Sequence, residues 1–437
     1  MGTLEFQPIR DRAKCPSNCP ACGTPSNVIA FRSKYLPEDI AVECDRCASL
    51  NFPGAVPPNY ETLETFAHFC MRADQADSID AVIGPLLASS ELSDAPVIDV
   101  GCGLGFAGDF ARFMGRSSVA FDPSPSSQWA NEFLGMQNLV TESPPSSVIP
   151  QGRVLVFASE VIEHVVDPIG FLGYLKTLAG ELGYVIVTTP NARFLSASAP
   201  DHVALAMLGP TQHLQLFSDR GLEAMAKTVG FDWSMTWTSQ ERLFLIAGPL
   251  EVHVDQVDFR PDYLRYLKSK TPSNAAALTS ASAMQCFGYR LYKELVIQGD
   301  DTAAEEVWAK LTQSYRLRSI DLARPSVTTK ATHVNFGDPA LDQSALPPLN
   351  LAVLFQLRAT QCLRRRHLAG YFRYASAARM QAKAAIEMLP GGAFQVVDLE
   401  VAAAQGIRPL RGLIQLVFDS LRRRLSFARV RHTSPKA

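Results

Sequence analysis

At 437 residues, 47% of them hydrophobic and 19% charged, the chain is too long for one ordinary core and too apolar for a disordered polymer. A net charge of −2 gives no global attraction to nucleic acid or to an anionic membrane. No stretch has the ~20 consecutive apolar residues of a membrane-spanning helix, and the opening MGTLEFQPIRDRAKCP lacks the apolar centre of an export signal, so a cytoplasmic setting is expected.

Five of the nine cysteines lie before residue 48. Cys19 and Cys22 form one CxxC pair, and Cys44 and Cys47 form a second after 21 intervening residues. In a reducing compartment, clustered pairs of this kind speak for a metal before disulfides. Four thiolates on two tight turns suit tetrahedral zinc, so residues 1–52 are expected to form a zinc ribbon in which the metal is structural and Cys15 is spare. FPGAVPPNY (52–60) reads as a linker. A helical pattern follows at about 61–92, where Tyr60 and Phe66 are candidates either to fold over a ligand or to pack in a core.

Short apolar runs then alternate with helical patterns. VIDV (97–100), SVAFD (118–122), VLVFAS (154–159) and YVIVTT (184–189) are separated by helices near 105–114, 126–135 and 167–181. This alternation predicts an α/β fold, a doubly wound, Rossmann-like parallel sheet of seven strands. FDWSMTW (231–237) and RLFLIAG (242–248) are expected as antiparallel edge strands.

VIDVGCGLG (97–105) carries the first chemical signal. A strand runs into Asp99, and Gly101, Gly103 and Gly105 bend the chain sharply into a helix, leaving room for a ligand against bare backbone. Dinucleotide enzymes share such a turn, but Asp99 stands two places before the first glycine, suited to an amino-acid end, and the later glycine that favours a pyrophosphate is missing. Asp122 closes the next strand 21 positions after Gly101, where a carboxylate can accept both hydroxyls of a ribose.

VIDVGCGLG, AFDPS, ASEVIEHVVDP, VIVTTPN and QHLQLFS, in this order, resemble class I S-adenosylmethionine-dependent methyltransferases, of the branch that includes ubiquinone-pathway and sugar methyltransferases. The resemblance covers about 95–250. It implies S-adenosylmethionine as cofactor, held by Asp99, Gly101, Gly103, Gly105 and Asp122, with Ser159 at the sheet edge near the methyl group. For the adenine contact after the third strand, NLVTESPPSSVIP offers only Glu142. The cysteine ribbon resembles those that precede some sugar C-methyltransferase domains.

After Ser159 come Glu160, Glu163 and His164, which share a face if the stretch is a helical turn. With His213 from QHLQLFS they make an oxygen and nitrogen set suited to Mg²⁺ or another divalent ion. The pattern resembles metal-dependent O-methyltransferases, including small-RNA 2′-O-methyltransferases, where the ion lowers the pKa of the acceptor hydroxyl. The alternative has Glu160 capping a helix, His164 packing under the sheet, and His213 acting alone as general base. Glu163, His164 and His213 are the catalytic candidates in either case. His202 is either a substrate-loop residue or simply exposed.

Beyond residue 250 the chain turns helical, over 259–320 and 349–388, with a Pro- and Thr-bearing linker at 324–348. QCFGYRLYKELVIQGDDTAAEEVWAKL resembles one tetratricopeptide-type hairpin, offering a surface for a protein partner. The tail 409–437 carries seven Arg or Lys against one Asp; this run, with Arg422–Arg424, and the trio Arg364–Arg366 are expected to be solvated helix faces. The expected organisation is therefore 1–52 ribbon, 60–250 methyltransferase domain and 251–437 helical region. The expected activity is methylation of a hydroxyl on a small molecule or glycan. Alternatives are an RNA 2′-O-methyltransferase, a sugar C-methyltransferase and an inactive methyltransferase-fold binding protein. Near-neutral charge weighs against the first of these and the intact motifs against the last.

Overall fold

The structure, a computed structural model, describes residues 7–9, 18–24, 29–33, 36–59, 91–195, 213–239, 242–254, 259–273, 278–317, 319–325 and 351–388, with 199, 203 and 207 singly. Cys15, Tyr60, Phe66, His202, most of the helical pattern at 61–92, nearly all of the linker at 324–348 and the tail 409–437 lie outside the described residues.

The apolar runs form the strands they predict. β5 (Val97–Val100), β6 (Ser118–Phe121), β7 (Asn138–Leu139), β8 (Leu155–Ser159), β9 (Tyr184–Pro190), β11 (Trp233–Ser239) and β12 (Arg242–Gly248) make a seven-stranded sheet of order β11-β12-β9-β8-β5-β6-β7. β7, β6, β5, β8 and β9 are parallel, while β12 runs antiparallel to β9 and β11. The chain leaves β5 toward β6 and β7, then returns to the other side of β5 as β8. The strand order reverses there, opening a crevice at the carboxyl ends of β5 and β8, where ligands bind in open α/β sheets.

Side chains alternate across the sheet with the strand period of two. Ile98, Val100, Val156, Ala158, Val185, Val187, Leu243 and Leu245 face one layer, with Leu172 and Leu175 of α3 (Pro168–Ala179) and Leu222 and Met225 of α4 (Asp219–Val229). Val97, Leu155, Phe157, Tyr184, Ile186, Phe244 and Ile246 face the other, with Phe106 and Phe110 of α1 (Phe106–Phe113) and Trp129 of α2 (Pro125–Leu134). Burial on both faces explains why these strands read as continuous apolar runs.

The C-terminal helices continue this second layer. α5 (Arg260–Lys270), α6 (Leu278–Ala283), a π turn (Met284–Gly288), α7 (Tyr289–Gln298), α8 (Asp301–Arg316), α9 (Leu351–Arg364) and α10 (Leu368–Met388) share one hydrophobic cluster with α1 and α2. The expected Gly-Asp turn joins α7 to α8: Gly299 has φ 83° and Asp300 caps α8 through the Ala303 amide at 3.1 Å. Arg290 lies over the Phe106 ring at 3.8 Å. Arg364, Arg365 and Arg366 are all exposed, as expected of a solvated face, and there Arg364 pairs with Asp301 at 2.6 Å and Arg365 with Glu305.

A polar clip fastens α5 to α1. The wholly buried Tyr266 donates to Asp109 of α1 at 2.8 Å, and Lys270 reaches the same carboxylate at 2.9 Å. Tyr266→Phe keeps the ring but removes a donor from a buried carboxylate. Urea unfolding is expected to show a loss of about 1–2 kcal/mol; unchanged stability would mean that Lys270 and Arg112 satisfy Asp109 without it.

The N-terminal sheet has order β1 (Gln7–Ile9), β2 (Ile29–Ser33), β3 (Leu36–Glu43), β4 (Leu50–Asn51) and β10 (Gln215–Leu216). Its last strand comes from far along the chain, and Cys19, Ala21, Cys44 and Cys47 bury against the α4 layer.

Candidate functional site

The glycine turn sits at the carboxyl end of β5. Gly101, Gly103 and Gly105 have φ of 64°, 54° and 81°, a left-handed backbone that other residues adopt at a cost. A β-carbon at Gly105 would meet the side-chain amide of Asn138, and at φ 81° any larger residue is strained. Asp99 is 3% exposed and accepts the Gly108 amide at 3.1 Å, satisfying one of the free donors of the first turn of α1. Burial pushes its carboxyl up to about 7. Asp99 thus supports the turn from beneath, a structural task beside the ligand contact expected of it.

Asp122 follows β6 and accepts from the Gly103 amide at 2.9 Å and the Ser124 amide at 2.7 Å. The Cys102 amide donates to Phe121 O at 3.1 Å. The turn and the end of the second strand are thereby locked into one unit by the buried Asp122 carboxylate. Glu142 stands exposed on the bend after β7.

The ExxEH stretch departs from expectation. Glu160 has φ 55°, and Ile162–His164 form a 3-10 turn. A left-handed residue followed by a tighter turn breaks the α-helical spacing that would put Glu160 over Glu163 and His164. Glu160 instead accepts from Thr188 Oγ1 at 3.0 Å and pairs with Arg242 at 3.3 Å, while Ser159 donates to Thr188 at 2.8 Å. The expected four-residue set is therefore three. A non-glycine residue held left-handed beside a crevice marks backbone strain at the candidate site.

Glu163, His164 and His213 do come together, and each is buried. Their ligand atoms lie within 4.8 Å of one another. Glu163 Oε1 is 3.7 Å from His164 Nε2, and the two imidazoles are 5.0 Å apart at 55°. His213 Nδ1 is 2.8 Å from Met207 O. A carbonyl only accepts, so Nδ1 is the donor in this contact.

Sequence reading missed the residues that hold this trio in place. Gln215 donates from Nε2 to Val165 O at 2.7 Å and Ile162 O at 3.3 Å, and the Leu214 amide donates to Glu163 O at 2.8 Å. Both lie in QHLQLFS, where only His213 attracts attention as a chemical group.

In the N-terminal sheet all four expected thiols converge. Cys19 and Cys47 have sulfurs 3.6 Å apart, as do Cys22 and Cys44. A tetrahedron with zinc–sulfur bonds of about 2.3 Å has edges of about 3.8 Å, so the cluster fits such an ion closely. The contact between Cys19 and Cys47 lowers the Cys47 thiol and raises that of Cys19, as when one proton is shared between two sulfurs. No helix among the described residues is long and apolar enough to cross a membrane.

Residues 71–233 match a family described as a methyltransferase domain. The chain is 28% identical over 159 residues to the ubiquinone biosynthesis O-methyltransferase of Bradyrhizobium sp. (strain ORS 278), covering 35% of this chain and 60% of that protein. It is 27% identical over 145 residues to the protein of the same name from Rhodopseudomonas palustris (strain BisA53), covering 32% and 54%. The chain thus spans less than two thirds of the curated relatives it matches. Among solved structures it is similar to a SAM-dependent methyltransferase from Aquifex aeolicus, at 15% identity, TM-score 0.31, and 41% and 97% coverage. It is also similar to DhpI in complex with SAH, at 15% identity, TM-score 0.30, and 43% and 97% coverage.

Proposed function

We propose that this chain, which carries a class I S-adenosylmethionine-dependent methyltransferase domain, methylates a hydroxyl of a small molecule or glycan. In this reading residues 1–52 form a zinc ribbon, 60–250 the transferase domain, and 251–437 a helical part open to a protein partner. Gly101, Gly103, Gly105 and Asp122 hold the cofactor at the sheet edge, Asp122 taking the ribose hydroxyls, with Asp99 steadying the turn and Ser159 beside the methyl end. The cofactor, when bound, supplies an electrophilic methyl group on a sulfonium.

The observation that carries the reading is the burial of His213 together with Glu163 and His164 in one cluster. Nδ1 stands 2.8 Å from Met207 O; in this reading Nε2 acts as the base. An acceptor hydroxyl there gives its proton to Nε2 as its oxygen attacks the methyl carbon in line, and the carbon–sulfur electron pair stays on sulfur. Glu163 stabilises the imidazolium that forms.

A second reading has its own support. One buried carboxylate and two imidazoles within 4.8 Å of one another are a ligand set that fits a divalent ion. Such an ion would be held by Glu163, His164 and His213 and would acidify the acceptor hydroxyl. Transfer of labelled methyl to a panel of catechol, sugar and other hydroxyl acceptors tests both. Product that persists in chelator supports His213 as the base, product lost in chelator and restored by Mg²⁺ supports the ion, and no labelled acceptor from any hydroxyl class contradicts the proposal.

A further inference from the structure

We propose that the four-cysteine ribbon is the positioning element of the acceptor site, its metal setting where His213 and the Glu163–His164 turn stand. The inference rests on the reading of that trio given above and goes beyond it by giving the ribbon a task. The carrying observation is that residues 213–218 are shared between the two parts.

On one edge this segment belongs to the ribbon. β10 pairs antiparallel with β4, Gln215 opposite Asn51 and Leu216 opposite Leu50, and the Phe52 amide donates to Leu214 O at 3.0 Å. Six residues before β4, at Cys44, begins the second cysteine knuckle, closed by the Cys44 amide on Ser49 O at 2.9 Å. Ser218 is fastened to that knuckle twice: its hydroxyl donates to Cys47 O and its amide donates to Ser49 Oγ at 3.2 Å. The same hydroxyl caps α4 by accepting from the Gly221 amide at 3.0 Å. A side chain at Gly221 would collide with Ser49, so the contact is close-packed.

On the other edge the segment holds the trio. His213 lies two residues before β10, the Leu214 amide donates to Glu163 O, and Gln215 donates to the carbonyls on either side of the Glu163–His164 pair. The methyltransferase sheet adds one bridge, between Asn191 and Phe217. A two-residue strand is too short to persist by itself. Its register depends on β4, and β4 leads directly out of the knuckle that the four thiols close. A metal there orders Cys44–Cys47, which fixes β4, which fixes β10, which sets His213 and the turn. Gln215 and Ser218 are positioning residues in this account. The cofactor turn, at the end of β5, makes none of these contacts.

The test uses the full zinc-loaded chain labelled with ¹⁵N-histidine. A high-affinity zinc chelator is expected to erase the Nδ1–H signature of His213 and to speed exchange of the Leu214 amide by at least about tenfold, with S-adenosylhomocysteine affinity unchanged. Should metal withdrawal unfold the chain, that affinity is lost as well, and Gln215→Ala decides. It keeps its zinc and binds S-adenosylhomocysteine, and it is expected to show the altered His213 signature. A His213 signature and Leu214 exchange unmoved by zinc loss, or a Gln215→Ala protein identical to wild type, would overturn the proposal. Failure of the functional reading looks different: cofactor binding or methyl transfer is absent while the coupling persists.

Discussion

His213→Ala is expected to lower methyl transfer by about 10²–10⁴-fold while leaving cofactor affinity unchanged. The imidazole is 8% exposed, its Nδ1 lies 2.8 Å from Met207 O, and it shares a buried cluster with a carboxylate and a second imidazole. Removing it takes away the acceptor's proton sink and none of the groups of the glycine turn. The pH profile separates the two site readings. A single base gives a rate that rises as Nε2 loses its proton and then levels, and His213→Ala abolishes that limb. A three-ligand ion gives a limb that moves with the metal supplied. A variant as active as wild type would remove His213 from the chemistry.

Cys44→Ser is expected to lose the metal and destabilise the chain by about 3 kcal/mol or more. Wild-type protein should hold about one zinc equivalent by elemental analysis. Cys44 is 2% exposed, its sulfur is 3.6 Å from that of Cys22, and it opens the knuckle that leads into β4. A hydroxyl is a poor zinc ligand, and the small ribbon has little apolar surface to hold its turns once the ion is gone. Zinc-free wild-type protein with the variant's stability unchanged would dismiss the ribbon as a metal site.

The long strands and the glycine turn were legible in the sequence because burial and conformational demand leave marks in it. VIDV, VLVFAS and YVIVTT are apolar on both faces, and Gly105 is fixed by its left-handed backbone and by Asn138. The four cysteines were equally plain, since metal ligands constrain residue type and spacing together. The elements that escaped notice are short or distant. β7 and β10 have two residues each, too few to show a period. Glu160 adopts a left-handed backbone that nothing in its neighbours announces, so helical spacing placed it with the wrong partners. Ser49 and Ser218 meet across 169 positions, and no local pattern joins them. A glutamine such as Gln215 carries no chemical signature until the carbonyls it binds are seen.

Cofactor binding at the glycine turn underlies every other statement about function, and titration calorimetry with S-adenosylhomocysteine measures it without needing an acceptor. The account predicts one-to-one binding by the wild-type chain. It predicts weakened binding in Asp122→Ala, whose carboxylate joins the Gly103 amide to the second strand, and loss in Gly105→Ala, where the added carbon meets Asn138. Wild-type protein that binds no S-adenosylhomocysteine, or three proteins that bind it equally, would contradict the account.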